Sequence, residues 1–145
     1  MIRARLLVLA VLLGAGCDPT LYARSAAPPG RTARLDEVRG FWGIQRYRLA
    51  LSTGVAFALS CEDGGPCDRL AITSDDPAIA DVRLASLGLL EASGLSNQAT
   101  VAGAVIIGKA VGTTRVHVRA RSGSRTIDVT VLATPTAGAP TLVAR

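Results

Sequence analysis

Between Thr114 and Leu132 apolar and polar residues alternate almost one by one, and few folds accept that period. Side chains alternate faces along a strand, whereas a helix brings the same face round every 3.6 residues. Val116, Val118 and Ala120 therefore share one face, with Arg115, His117, Arg119 and Arg121 on the other. In the next run Ile127, Val129 and Val131 point inward, and Thr126, Asp128 and Thr130 point outward. These runs predict two strands of a hairpin with one buried face. Turn length sets the register. A two-residue turn at Ser122-Gly123 places His117 opposite Asp128, and a four-residue loop from Ser122 to Arg125 places Arg119 there. Both remain open at this point, and in both Asp128 offsets part of a basic stripe.

Upstream, shorter runs follow the same logic. Val55, Phe57 and Leu59 alternate with Ala56, Ala58 and Ser60, and Arg69–Thr73, Ile79–Leu84 and Val101–Ile107 form three more short segments. They are separated by turn signals such as Ser74-Asp-Asp-Pro77 and Gly108. Several short strands with regular turns predict an all-β protein with a single antiparallel β-sandwich. Leu84–Leu95, with Gly88 and Gly94, is assigned to no element. Leu35–Ile44, which carries Phe41 and Trp42, is compatible with a helical turn or an irregular segment.

The start of the chain is of another kind. Arg3 and Arg5 precede the apolar run Leu6–Leu13, and Gly14, Ala15, Gly16 and Cys17 follow. Eight apolar residues are far short of the ~20 that span a bilayer. A basic start, a short apolar run and small residues make a secretory signal peptide. Cys17 behind small residues resembles the lipobox of bacterial lipoproteins. That resemblance implies an acylated Cys17 at the head of the mature chain, and hence a membrane partner through a lipid anchor. The pattern departs at Gly14, where a leucine is usual, with Leu13 one residue further back. Ordinary cleavage nearby, such as after Ala27, is the alternative.

Cysteine spacing agrees with export. With Cys17 set aside, Cys61 and Cys67 enclose Glu-Asp-Gly-Gly-Pro, and an exported pair across a tight turn is expected to form a disulfide. Two thiols without a nearby histidine do not make a zinc set. The net charge of +5 falls to +3 without Arg3 and Arg5, too mild for a nucleic-acid partner. Of the basic residues only Lys109 is a lysine.

The expected organisation is a signal peptide at 1–16, a lipid-anchored tether at 17–45, a sandwich at 46–133 and a tail at 134–145. The Ala-, Pro- and Gly-rich stretch Ser25–Gly30 supports the tether.

Two motifs carry a second resemblance. Ser74, Asp76-Pro77, Ala80 and Val82 lie in one, and Ala110, Gly112 and Thr114 in another, followed by the alternating strand Thr126–Val131. Together they resemble bacterial Ig-like domain group 2 over about Tyr47–Ala133. Ile72 stands where many members have Trp, and Arg83–Gly103 is longer than usual. The resemblance implies an immunoglobulin-like sandwich of the extracellular kind used for adhesion or as a spacer. It carries over no catalytic residue.

No catalytic constellation is legible. His117, the only histidine, has Asp128 as a prospective orienting carboxylate but no nucleophile signal. Asp75, Asp76 and Asp81 with Glu62, Asp63 and Asp68 lack the spacing of a calcium loop. No metal site and no cofactor is expected. Arg115, His117, Arg119 and Arg121, with Arg125 in the turn, form a candidate binding face for an envelope protein or an anionic glycan. Phe41, Trp42 and Tyr47 are aromatic candidates for sugar stacking or for closing one end of the core. The expected function is a non-catalytic adhesion or interaction module at the cell envelope, on the outer membrane or cell surface. The alternative is a structural spacer or accessory subunit of an envelope assembly.

Overall fold

The computed structural model describes residues 18–40, 45–86 and 103–134. The expected signal peptide, Cys17, Phe41, Trp42, most of Leu84–Leu95 and nearly all of the expected tail fall outside them. Among the described residues the chain forms nine strands: β1 (Thr20–Ala23), β2 (Ala33–Arg39), β3 (Gln45–Ser52), β4 (Ala56–Glu62), β5 (Ala71–Ser74), β6 (Ala80–Ala85), β7 (Gly103–Gly108), β8 (Gly112–Ala120) and β9 (Gly123–Leu132). They build a four-stranded sheet ordered β1-β4-β7-β6 and a five-stranded sheet ordered β2-β3-β9-β8-β5.

This is the expected immunoglobulin-like sandwich. Taking β1, β4, β7 and β6 as strands A, B, E and D, and β9, β8 and β5 as G, F and C, reproduces the two-sheet order of that fold. The β2–β3 hairpin is an addition inserted between strands A and B. It extends the second sheet past β9, and β3 pairs with β9 in parallel, Tyr47 facing Ile127 and Leu51 facing Val131. The sandwich is therefore not wholly antiparallel as predicted.

Alternation explains why the sheets stack. Tyr47, Leu49 and Leu51 of β3, Phe57 and Leu59 of β4, Ile106 of β7, Val116 and Val118 of β8, and Ile127, Val129 and Val131 of β9 are all buried between the sheets. Each such side chain contributes about 1.5–3 kcal/mol on leaving water. The polar end of Tyr47 is satisfied inside, where its Oη accepts the backbone N–H of Leu21 at 3.2 Å and ties β1 to β3.

The two resemblance motifs meet at the β5–β6 corner, where the chain crosses between sheets. The Asp76 carboxylate accepts the Ala78 N–H at 2.9 Å, and Asp76 donates its own N–H to Oγ1 of Thr114 at 3.0 Å. Gly112 sits at φ +156°, and a Cβ there would stand 2.9 Å from Cδ1 of Ile79. The positive φ favours glycine, and a side chain there would also displace the end of Ile79.

Three expectations need correction. The stretch from 17 to 45 is not a tether up to the sandwich, because β1 and β2 lie inside it and Leu21 is buried in the core. The β8–β9 turn is at Arg121–Ser122, with Ala120 opposite Gly123, so Arg115 faces Asp128 and His117 faces Thr126. Neither predicted register occurs. Arg125 is not a turn residue of the basic strip. It lies in β9 opposite Val118, on the inward face.

The third correction bears on the first. The Arg125 side chain, only 11% exposed, donates Nε to the carbonyl of Pro19 at 2.9 Å, one Nη to Asp18 Oδ2 at 3.0 Å and the other to Gln45 Oε1 at 3.1 Å. A buried guanidinium needs such partners. The clamp fastens the first described residues to the start of β9 and the start of β3. Gly123 makes room, since a Cβ there would meet Asp18 Oδ1 at 2.8 Å.

Candidate functional site

The four residues of the predicted binding face sit in β8 and the turn beyond it, on the outer side of the five-stranded sheet. The structure brings Arg115, His117, Arg119 and Arg121 together there, but it supplies counter-charges the alternation of one hairpin does not reveal. Asp75, just past β5, takes Arg115 Nε at 3.4 Å and His117 Nε2 at 2.9 Å. Arg121 pairs with Asp68 at 3.5 Å. Arg119, opposite Ser124 in the ladder, has no ion pair among the described residues. The stripe is thus largely neutralised from its edge.

Strand register extends this into a row across the whole sheet. Asp36 of β2 is the partner of Arg48 in β3, Arg48 of Asp128 in β9, and Asp128 of Arg115 in β8. Asp75 closes the row, its backbone N–H bonded to the Arg115 carbonyl at 2.9 Å. The signs run minus, plus, minus, plus, minus. Opposite charges side by side favour this register. They also give the face an alternating potential instead of the uniform positive field that attracts a polyanion.

Sequence reasoning missed Asp36, Arg48 and Asp75. The signal for Arg48 was present in Arg46-Tyr47-Arg48-Leu49, where basic residues alternate with buried ones. Nothing in the sequence paired that run with β9.

His117 also contacts Thr126, its Nδ1 lying 3.3 Å from the hydroxyl. Hydroxyl, imidazole and carboxylate are therefore linked in series, the order a nucleophile, a base and an orienting acid would take. The setting does not complete that chemistry. Thr126 lies in β9, opposite His117 in β8. Thr126 and Asp75 instead hold the imidazole across β9, β8 and the end of β5.

The cysteine pair lies at the end of the sandwich that carries Asp18. Cys61 and Cys67 are disulfide-bonded with a Cα–Cα distance of 5.3 Å, and both are buried in the core. The Cys67 N–H donates to the Cys61 carbonyl at 3.0 Å, closing the loop. The carboxylates weighed for calcium do not converge. Among the described residues no three His, Cys, Asp or Glu are placed to hold a metal ion. Asp81 is instead engaged by Arg83 at 3.0 Å, and this hydrogen bond, with the charge of Arg83, lowers its pKa below the ordinary carboxylate value.

The outer side of the four-stranded sheet is of different character. Ala56, Ala58 and Ser60 of β4 face Ile107, Val105 and Gly103 of β7, with Tyr22 half exposed beside Ser60, whose hydroxyl accepts Nε of Arg24 at 2.7 Å.

No protein-family model matches the chain, and no curated protein matches it in sequence. Among solved structures it is similar to domains 4 and 5 of the surface-layer protein SbsC, at 18% identity and a TM-score of 0.41, covering 80% of this chain and 48% of that one. Domains 1–6 of the same protein give 20% identity and a TM-score of 0.40, over 80% of this chain and 13% of that one. The chain thus spans about half the length of the shortest of these structures or less.

Proposed function

We propose that this chain is an exported, non-catalytic interaction module: an Ig-like sandwich of the bacterial group 2 kind, lipid-anchored at Cys17 in the cell envelope, that docks a protein through its five-stranded face. The row Asp36–Arg48–Asp128–Arg115–Asp75 carries the reading. A solvated sheet face with charges of alternating sign suits a protein surface of complementary pattern, where such charges set register and exclude wrong partners. It suits an anionic glycan less, because each arginine of the row already has a carboxylate neighbour. Export is supported by the basic and apolar start of the chain and by the Cys61–Cys67 disulfide, a bond of oxidising compartments.

A second reading has one observation in its favour. Asp18 and Thr134 lie at opposite ends of the sandwich, as the β1 and β9 registers require, which is the layout of a spacer.

Photo-crosslinking in the intact envelope separates the two. A photoreactive residue at Ala50, on the charged face, is expected to give a discrete protein adduct that disappears when Arg48 and Arg115 are both changed to Asp. The same probe at Ala58, on the other sheet, is expected to give none. Adducts at neither position leave the spacer reading, and an Ala50 adduct insensitive to the charge changes removes the role of the row.

A further inference from the structure

We infer that the end of the sandwich carrying Asp18 stands directly on the phospholipid headgroups, held there by the Arg125 clamp. The inference rests on the proposed lipid anchor at Cys17 and adds where that anchor puts the domain. A free segment over residues 18–34 would reach roughly 60 Å and let the domain tumble well clear of the membrane. The structure removes that slack. Asp18 is bonded to the buried Arg125 guanidinium, Pro19 is buried and gives its carbonyl to the same group, and β1 begins at the next residue.

Consecutive Cα atoms are about 3.8 Å apart, so an acylated Cys17 is one peptide bond from a fixed point of the fold. Its acyl chains sit in the hydrocarbon and its backbone at headgroup level. The fold surface around Asp18 is thereby brought to the same level. That surface includes the β8–β9 turn at Arg121–Ser122, because Gly123 packs on Asp18, and the disulfide loop, because Thr20 pairs with Glu62.

The exposed charges of this end are mixed, with Asp63, Asp68 and Asp18 against Arg69 and Arg121. Contact is therefore set by the anchor and the clamp, and not by attraction to anionic lipid. The β5–β6 corner, with Ala78 at its exposed tip, is carried to the far end.

The test uses the full chain, matured with its lipid, in phosphatidylcholine vesicles containing a nickel-chelating lipid. With Cys17 acylated and Cys61 bonded to Cys67, Ser122→Cys and Ala78→Cys each offer a single thiol for a spin label. Relaxation by headgroup nickel is expected to be several-fold stronger at position 122 than at 78, and unchanged by added salt. A flexible Gly-Ser linker inserted between Cys17 and Asp18 leaves the fold and clamp intact and is expected to abolish the difference. Arg125→Met is expected to reduce it while the protein still floats with vesicles. Equal relaxation at the two positions in floating protein overturns the inference and leaves the anchor standing. Protein that neither floats nor carries lipid mass on Cys17 overturns the anchor, and the inference with it.

Discussion

The backbone N–H of Asp76 donates to the hydroxyl of Thr114 at 3.0 Å, joining two sequence motifs that lie a third of the sandwich apart in the chain. One motif makes the corner by which β5 hands over to β6, and the other opens β8. Their contact locks the corner onto the sheet it has just left. Thr114→Val keeps the shape and removes the acceptor. The expected loss is about 1 kcal/mol in denaturant unfolding, the usual net worth of one hydrogen bond, with no change in fold by circular dichroism.

Tyr47→Phe tests a buried hydrogen bond of the core. The ring stays, but the Leu21 N–H loses its partner, and an orphaned buried donor costs about 1–3 kcal/mol. Beyond the drop in stability, amide exchange at Leu21 is expected to accelerate more than exchange in β8 or β9. Uniform acceleration would show that β1 is not held separately.

Replacing Cys61 and Cys67 together by Ala is expected to cost about 2 kcal/mol, the chain-entropy value for so short a loop. Both positions are buried, so lost packing adds to that figure. A thiol assay on protein taken from the envelope is expected to find neither cysteine free.

Asp81 supplies a pH dependence with a definite sign. Its hydrogen bond from Arg83 lowers its pKa in the folded state. Its contribution to stability is therefore complete above the ordinary carboxylate range, and is lost as pH falls through that range to the lowered folded value. Carbon-detected titration is expected to show Asp81 titrating below an unperturbed aspartate, and Arg83→Ala to bring it back up. An Asp81 midpoint that Arg83→Ala leaves in place would falsify the assignment of cause.

How much of this could be read beforehand follows the range of the interactions. Val116, Val118, Ile127, Val129 and Val131 lie inward as their period requires, and the sheet class follows from such runs because alternation is a local property of the chain. The disulfide was legible for the same reason, its two cysteines being separated by a turn. β1 was not legible. Thr20–Ala23 buries one side chain, Leu21, too little for a pattern, and it is a strand because β4 and the Tyr47 hydroxyl receive it. The parallel β3–β9 pairing was hidden because no turn chemistry marks it. Arg125 was misassigned for a related reason: an arginine on the inward side of a strand is tolerable only with partners, and its partners Asp18, Pro19 and Gln45 come from distant parts of the chain. On the candidate face, Arg115 and His117 were found from their own strand, and Asp75, which contacts both, required the β5–β8 pairing.

The parallel pairing of β3 with β9 also bears on force. Asp18 is at one end of the sandwich and Thr134 at the other, so a load applied between them pulls β9 lengthwise along both β3 and β8. The rungs of both ladders then resist at once, in shear, instead of peeling away singly from one end. The inserted hairpin thereby gives the last strand a second load-bearing neighbour.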